Sequence, residues 1–226
     1  MFTVLFEVHP APGQQDAYLK QAAHLKPLLE AIPGFIDNER YASTTRDGWV
    51  LSLSTWEDEK ALVRWRTQGE HHAVQRLGRD RIFSDYHLRV CEVLADSHSP
   101  VGRTVIEQRL DTTVTGEAKA VSITELTPAT DASLAQEPGR VPGLLGLDLA
   151  RDGLIGQDVF ASITHPGKLL LMASWRSRAA AGWTPRLPAG VAQLRQRCVR
   201  NLRDYGIGDR REAPQYFPAA GSTTAP

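Results

Sequence analysis

An internal repeat constrains the fold of this chain more than any other feature of its sequence. Residues 32–65 and 141–183 share a Pro-Gly pair, a strand pattern, a turn glycine, a second strand and a final tryptophan, in the same order. The most regular matches, all separated by 119 positions, are Gly48 with Gly167, Trp56 with Trp175, and Ala42-Ser43 with Ala161-Ser162. A repeat of this length indicates two copies of one supersecondary unit, stacked to bury a shared core.

Further matches extend the repeat over most of the chain. Their separations vary between 109 and 119 residues, which indicates insertions and deletions in the loops. These matches are Glu7 with Glu125, Pro10 with Pro128, Pro33-Gly34 with Pro142-Gly143, Trp65 with Trp183, Gln75 with Gln193, and Asp85-Tyr86 with Asp204-Tyr205. Residues 1–97 are therefore predicted to form the first repeat, and residues 119–207 a second, divergent one.

Polar segments join and follow the two repeats. Residues 98–118 contain Pro, Gly, Ser and Thr, a composition that predicts a linker or an extended arm. Residues 208–226 form a C-terminal tail, and its end is expected to be disordered because it contains mainly small and polar residues. Within the tail, residues 209–212 together with Tyr216 and Phe217 are expected to clasp the other repeat.

Hydrophobic periodicity predicts the elements of the first repeat. Alternation indicates strands, and a spacing of three to four residues indicates helices. The predicted elements are a strand at 2–9, a helix at 14–31 with a kink or break at Pro27, strands at 35–43 and 49–56, a helix from residue 57, and a strand at 86–94. This β-α-β-β-α-β order is the ferredoxin-like arrangement. In the second repeat the first helix is expected to shorten to 131–140, and residues 149–158 to lengthen the strand pair.

Composition excludes several classes of function. Lys+Arg and Asp+Glu both number 26, and a net charge of zero argues against non-specific nucleic-acid binding. The two cysteines, Cys91 and Cys198, match no metal-binding spacing and are expected to be free thiols in a reducing compartment. The N-terminus lacks the basic start of a signal peptide, and no apolar run reaches the ~18 residues of a membrane span. The expected location is the cytoplasm.

One family resemblance rests on motifs of the first repeat. The strings IPGF, YAS, LSLSTWED and DYHLRV, with Trp65 between the last two, resemble the antibiotic biosynthesis monooxygenase domain of the dimeric α+β barrel superfamily. The resemblance covers about the first 90 residues and is looser in the second repeat. It implies an α+β fold in which two ferredoxin-like units pair their sheets into a closed barrel. The barrel would close either within one chain, as a pseudo-dimer, or between the chains of a homodimer.

The resemblance also implies a pocket between the sheet and the helices of a unit. Members of the family include small oxygenases that oxidise polyketide phenols with O2 and need neither metal nor flavin. The leading hypothesis is therefore a cofactor-independent monooxygenase acting on a small aromatic or polyketide-like substrate. Two alternatives remain open, because fold does not determine function. One is a heme-binding or heme-modifying protein, and the other is a non-catalytic ligand-binding or assembly module.

Three residues are candidates for catalysis. His72 is the leading candidate for a general base, since an imidazole titrates near neutral pH. Glu7 is the second candidate base, and Trp65 would form a wall of the pocket against a flat substrate. Each has an ordinary structural explanation: an exposed helical histidine, a buried salt bridge and a core aromatic.

Other residues are candidates for binding. They are His9, His71, Arg40, Tyr86 and Trp183, with Arg89 as a further pocket cation. Heme-degrading relatives resemble one another in a first-strand Asn, a second-helix Trp and a later heme-ligating His. Here the first strand has no Asn, and His71 and His72 lie closer to Trp65 than that pattern requires. If heme binds, His71 or His72 is the expected ligand, and no other metal site is predicted.

Overall fold

The computed structural model describes residues 1–111, 113–129 and 136–215, and eight of their segments are β-strands. The strands are β1 (Phe2–Pro10), β2 (Phe35–Ser43), β3 (Val50–Trp56), β4 (Phe83–Asp96), β5 (Ala120–Pro128), β6 (Leu154–Ser162), β7 (Leu169–Trp175) and β8 (Val191–Gly206). They form one closed barrel in the order β1-β3-β2-β6-β7-β5-β8-β4. The predicted α+β barrel is confirmed, and it closes within a single chain.

A pseudo-twofold axis relates the two halves of the barrel. Ala42 lies opposite Ala161 where β2 meets β6, and Glu92 lies opposite Arg200 where β4 meets β8. Each of these central pairs joins a residue to its own counterpart, and the residues on either side pair symmetrically about it, Tyr41 with Ser162 and Ser43 with Phe160. This symmetry removes the exposed strand edges that either unit would have alone.

Strand register corrects one part of the sequence alignment. His9 lies opposite Asp85, and its counterpart Thr127 lies opposite Gln193. Asp85 therefore corresponds to Gln193, so the matches of Asp85-Tyr86 with Asp204-Tyr205 and of Gln75 with Gln193 are wrong. The error arose because the Asp-Tyr pair of the second repeat lies at the far end of β8, where Tyr205 is opposite Leu88 of the first unit.

Three helices cover the outer face of the first unit. They are α1 (Gln15–Glu30), α2 (Glu59–Thr67) and α3 (Gly69–Leu77), followed by a π-helical turn at Gly78–Ile82. Asp58 caps α2 by accepting a hydrogen bond from the Ala61 amide at 2.7 Å. Gln68 caps α3 in the same way, accepting from the His71 amide at 2.6 Å. α1 continues through Pro27 to Glu30, so the break expected at this proline does not occur.

The second unit keeps the strands but not the long helices. Among residues 137–190 the helical segments are a 3₁₀ turn at Pro138–Arg140 and the single turn α4 (Val141–Leu144). The part of the predicted helix before residue 136 lies outside the described residues. The 149–158 insertion does not lengthen the strand pair, because β2 and β6 both have nine residues.

Trp183 shows how the second unit covers its sheet without a helix. It lies in an irregular segment that contains Gly182, Pro185 and Pro188, which disfavour a helix. Trp183, which the repeat matches with Trp65 of α2, therefore does not lie in a helix. Its indole is only 7% exposed and packs in a cluster with Val141 and Leu145.

The tail contacts the first unit, as the sequence analysis expected. Arg66 on α2 donates a hydrogen bond to the carbonyl oxygen of Gln215 at 3.0 Å. Arg210 donates a hydrogen bond to the hydroxyl of Tyr86 on β4. Tyr216 and Phe217, named with these residues in the prediction, lie outside the described residues. Across the described part of the chain, no helix is long and apolar enough to cross a membrane.

Candidate functional site between sheet and helices

A cavity of about 750 Å³ lies between the sheet of the first unit and its helices. Its apolar side includes Val4 and Phe6 of β1 and Leu88 of β4. Its polar side includes Asn38 and Arg40 of β2 together with Ser52 and Ser54 of β3. Successive side chains of a strand point to opposite faces, so these residues face the helices while their neighbours fill the barrel. The cavity is therefore amphipathic, with a different chemistry on each side.

Five of the nine residues predicted for the site line this cavity: Arg40, Trp65, His71, His72 and Tyr86. Glu7, His9, Arg89 and Trp183 do not line it. Glu7 and His9 alternate with Phe6 on β1 and therefore lie on the barrel side of that strand. Trp183 belongs to the core of the other unit.

The side chains of His71 and Trp65 form a stacked pair at the cavity wall. Their ring centroids are 4.0 Å apart, with an interplanar angle of 14°. Nδ1 of His71 lies 2.8 Å from the carbonyl oxygen of Trp65. Because a carbonyl only accepts hydrogen bonds, Nδ1 must carry the proton, and Nε2 keeps its lone pair. Gln75 places its side-chain nitrogen 3.4 Å from that Nε2.

Burial also keeps the His71 ring uncharged. Desolvation lowers its pKa to about 4, and the hydrogen bond to the Trp65 carbonyl offsets only part of this effect. His72, the next residue along α3, is more exposed. Desolvation, followed by the charges of Arg79 and Arg76, lowers its pKa as well. Both rings are therefore neutral at pH 7, but the contact with Trp65 fixes the tautomer of His71.

Glu7 belongs to a charged cluster inside the barrel rather than to the cavity. Its carboxylate accepts hydrogen bonds from Arg89 at 2.7 Å and from Arg46 at 2.6 Å. Burial alone would raise its pKa, but the His87 hydrogen bond, Arg89 and Arg46 together hold the pKa at about 2. A carboxylate with so low a pKa is a poor proton acceptor, so the assignment of Glu7 as a base is corrected.

The second unit contains a matching charged cluster. Glu125 accepts hydrogen bonds from Arg197 at 2.7 Å and from the Tyr41 hydroxyl at 2.8 Å. Desolvation opposes ionisation here too, but Arg197 and Lys168 hold the pKa of Glu125 at about 2. The repeated glutamate found in the sequence is thus a structural feature of the barrel.

His9 has a structural role at the rim of the barrel. Its ring stacks on that of Trp49, with centroids 5.5 Å apart. Its Nδ1 lies 2.8 Å from the hydroxyl oxygen of Ser84. These contacts tie the ends of β1 and β4 to the β2–β3 hairpin.

Several cavity residues come from distant parts of the chain. Tyr205 at the end of β8 lines the cavity, together with Arg210, Pro214 and Gln215 of the tail. The sequence predicts that the tail contacts the first unit, but not that it lines the cavity. The assignment of Tyr205 as the counterpart of Tyr86 concealed the role of β8.

The charges that line the cavity are all positive. Its arginines are Arg40, Arg66, Arg79, Arg210 and Arg211, and no Asp or Glu is among the described lining residues. Arg211 is neutralised by Asp209 at 2.6 Å, outside the lining. In the described part of the chain, no group of three or more His, Cys, Asp or Glu side chains is arranged to hold a metal ion.

Comparison with known proteins identifies the family. The model of the antibiotic biosynthesis monooxygenase family matches residues 1–77. The jasmonate monooxygenase ABM of Pyricularia oryzae is 41% identical over 225 residues, which are 97% of this chain and 100% of that protein. The chain belongs to the antibiotic biosynthesis monooxygenase family. The predicted resemblance is thereby confirmed, and membership supports a monooxygenase-type function with a small-molecule substrate.

Two further proteins are similar to this chain, one over about a third of its length and the other over most of it. The uncharacterized protein YqjZ of Bacillus subtilis is 30% identical over 76 residues, which are 34% of this chain and 65% of that protein. A crystal structure of a putative monooxygenase from Fusobacterium nucleatum covers 90% of this chain and 93% of its own, with 8% identity and a TM-score of 0.40. The 77 residues that match the family model include β1 to α3, the elements that surround most of the cavity.

Proposed function

We propose that the protein is a monooxygenase that oxidises a small, largely apolar compound with O2 in the cavity of its first unit, without a bound metal or flavin. The observation that supports this most is the neutral imidazole of His71, held against Trp65 at the cavity wall. The identity to a jasmonate monooxygenase along almost the whole chain supports the same class of reaction.

A substrate with an acidic methylene group fits this chemistry. Nε2 of His71 accepts a proton from a CH2 group activated by a carbonyl or an aromatic ring, and the resulting carbanion reacts with O2. The peroxide takes up a proton and loses water, which leaves a carbonyl group. One oxygen atom ends in the product and the other in water, and the substrate supplies all the electrons. The anion that forms beside His71 favours the protonated ring, which offsets its low pKa.

The cavity wall favours such a step. Trp65 covers one face of the His71 ring and its carbonyl fixes the tautomer, so no reorganisation of the base is needed. Arg210 and the tail lie over the side that would otherwise open towards β4. Such cover limits the access of water to a base and to a carbanion.

The first experiment measures O2 consumption with jasmonic acid, the compound named in the relative, and with phenolic polyketides. With ¹⁸O₂, one labelled atom is expected in the product. The assay is run with and without NADPH, because a substrate that reduces O2 by itself needs no added reductant. Turnover that depends strictly on NADPH would contradict the cofactor-free part of the proposal.

Matched variants identify the base. His71→Ala is expected to lower kcat by about 100-fold or more, within the range for loss of a general base. His72→Ala, one residue away and more exposed, is expected to change kcat much less. With His71 as the base, activity falls only as the pH approaches its pKa of about 4. If only His72→Ala lost activity, His72 rather than His71 would be the general base.

The alternative functions can be tested in the same preparation. Heme binding stays a prediction, with Nε2 of His71 or the ring of His72 as the ligand. A hemin titration without a Soret shift would exclude it. The non-catalytic module is disfavoured because polar groups of β2, β3 and α3 converge on the cavity.

A further inference from the structure

Arg40 stands out among the charged residues of the cavity. It lies on the polar side, on β2, and its neighbour Glu39 points to the barrel side, where it binds Lys168 at 2.5 Å. Among the described residues no carboxylate forms an ion pair with Arg40. Its Nε is buried and has no hydrogen-bond partner there.

The contact of Arg40 with Tyr18 does not balance its charge. The Tyr18 hydroxyl on α1 lies against the guanidinium, and burial, partly opposed by Arg40, raises the pKa of Tyr18. Tyr18 is therefore neutral at physiological pH. A guanidinium in a partly desolvated site is stabilised most by an anion that accepts two parallel hydrogen bonds. The protein itself supplies no such anion among the described residues.

The rest of the lining agrees with an anionic ligand. Among the described lining residues there are four further arginines, of which Arg211 is paired with Asp209, and no Asp or Glu, in a chain whose net charge is zero. Cavities of one sign of charge attract ligands of the opposite sign and raise their local concentration. The apolar side, with Phe6 and Leu88, suits the hydrocarbon part of the same ligand.

These observations lead us to infer that the cavity binds a small amphipathic monocarboxylate, and that Arg40 binds its carboxylate group. The apolar body then lies along β1 and β4. The inference rests on the proposed function only in placing the substrate in this cavity. It assigns Arg40 a role in substrate selection: the free acid is the substrate, and its neutral ester is not.

A binding experiment tests this without turnover. N-phenyl-1-naphthylamine serves as a neutral fluorescent reporter of the cavity, and 1-naphthylacetate and its methyl ester compete with it. The two competitors differ only in the charge of the group that Arg40 would bind. In the native protein the acid is expected to bind about tenfold more tightly than the ester, the usual effect of a hydrogen bond to a charged group.

Three variants complete the design. Arg40→Gln is expected to weaken binding of 1-naphthylacetate about tenfold or more, with less than about a twofold effect on the ester. Arg40→Lys should recover part of the affinity for the acid, since it keeps the charge but loses the bidentate geometry. Arg64→Met, an exposed arginine of α2 that does not line the cavity, is the control and should change neither competitor.

Several outcomes would overturn the inference. They are equal affinity for acid and ester in the native protein, equal weakening of both by Arg40→Gln, or no displacement of the reporter by either compound. Retained reporter binding shows that the cavity of each variant is intact. Because no oxidation is measured, a failed monooxygenase assay leaves this result unaffected, and a failed binding assay leaves the oxidation result unaffected.

Discussion

The two units share four strands and one charged cluster each, but they cover their sheets differently. In the first unit α1, α2 and α3 stand off the sheet and leave a cavity. In the second unit an irregular segment with Trp183 packs directly onto it, and the space is filled by a hydrophobic cluster. The strands are thus common to both halves, whereas the cavity between sheet and helices lies, among the described residues, in the first half.

The charged clusters, in contrast, share their central contacts. Arg89 contacts Glu7 and the Ser174 hydroxyl, and Arg197 contacts Glu125 and the Thr55 hydroxyl. Each cluster therefore uses a hydroxyl from the other unit. The remaining partners differ, since Arg46 and His87 bind Glu7 whereas Lys168 and Tyr41 bind Glu125.

Removing the buried arginines should give the largest loss of stability. Arg89→Met and Arg197→Met each leave a buried carboxylate with fewer partners, which costs about 3–5 kcal/mol of unfolding free energy. Urea denaturation measures the loss. Similar values for the two variants are expected from the symmetry. A loss in one variant more than twice that in the other would show that the clusters are not equivalent.

The two tryptophans should separate stability from function. Trp183→Ala removes a buried side chain and is expected to cost about 3–5 kcal/mol. Trp65 is half-buried, so Trp65→Ala should cost less in stability but abolish the stack with His71 and most of the turnover. Denaturation curves and O2 consumption are measured on both. Full activity in a folded Trp65→Ala protein would contradict the proposed site.

Acid should weaken both clusters over the same range of pH. The pKa values of Glu7 and Glu125 are about 2 in the folded protein, against 4.5 for an ordinary Glu such as that of the unfolded chain. The stability that each carboxylate contributes is therefore present above pH 4.5 and is lost as the pH falls towards 2, on the order of 3 kcal/mol. Glu7→Gln and Glu125→Gln should each remove a similar part of this dependence, as followed by urea denaturation at several pH values. An unchanged slope in either variant would contradict this assignment.

One residue should make the first cluster more sensitive to alkali than the second. His87 occupies the position that Arg195 holds in the other half. Although burial opposes it, hydrogen bonds with Asp204 and Glu7 raise the pKa of His87. The stability that His87 contributes to the folded protein is thus complete below pH 6.5 and is lost as the pH rises through the raised pKa. Because the side chain is 40% exposed, the loss is below about 1 kcal/mol. His87→Arg should abolish this pH-dependent loss of stability, as measured by thermal melts between pH 6 and 9.

Much of the fold could be predicted from the sequence. The alternation of apolar and polar residues predicts the strands of the first unit, and the repeated glycines and tryptophans indicate a second copy of that unit. Alternation alone does not show which face of a strand points inward, so Glu7 was assigned to the cavity although Phe6 lies there. A chance match of two Asp-Tyr pairs displaced the register of β8. Correct pairing depends on contacts between strands distant in sequence, which a one-dimensional alignment does not contain.

The candidate site was only partly predictable. Trp65, His71 and His72 lie close together in sequence on α2 and α3, and the family resemblance indicated where those helices lie. The fixed tautomer of His71 depends on how α2 ends, because the Trp65 carbonyl there accepts hydrogen bonds from both the Gln68 amide and Nδ1 of His71. Tyr205 and Arg210 reach the cavity only because β8 crosses to the first unit, and no local pattern records that path.

The covalent link between the two halves changes what substitutions can do. In a homodimeric barrel every residue occurs twice, so a change that improves one site is imposed on the other. In this chain the end of β8 and the tail line the cavity of the first unit, whereas the corresponding face of the second unit is filled by a hydrophobic cluster across its described residues. In a fused barrel one half can therefore evolve to hold a ligand while the other completes the sheet. A single substitution changes one half without changing the other.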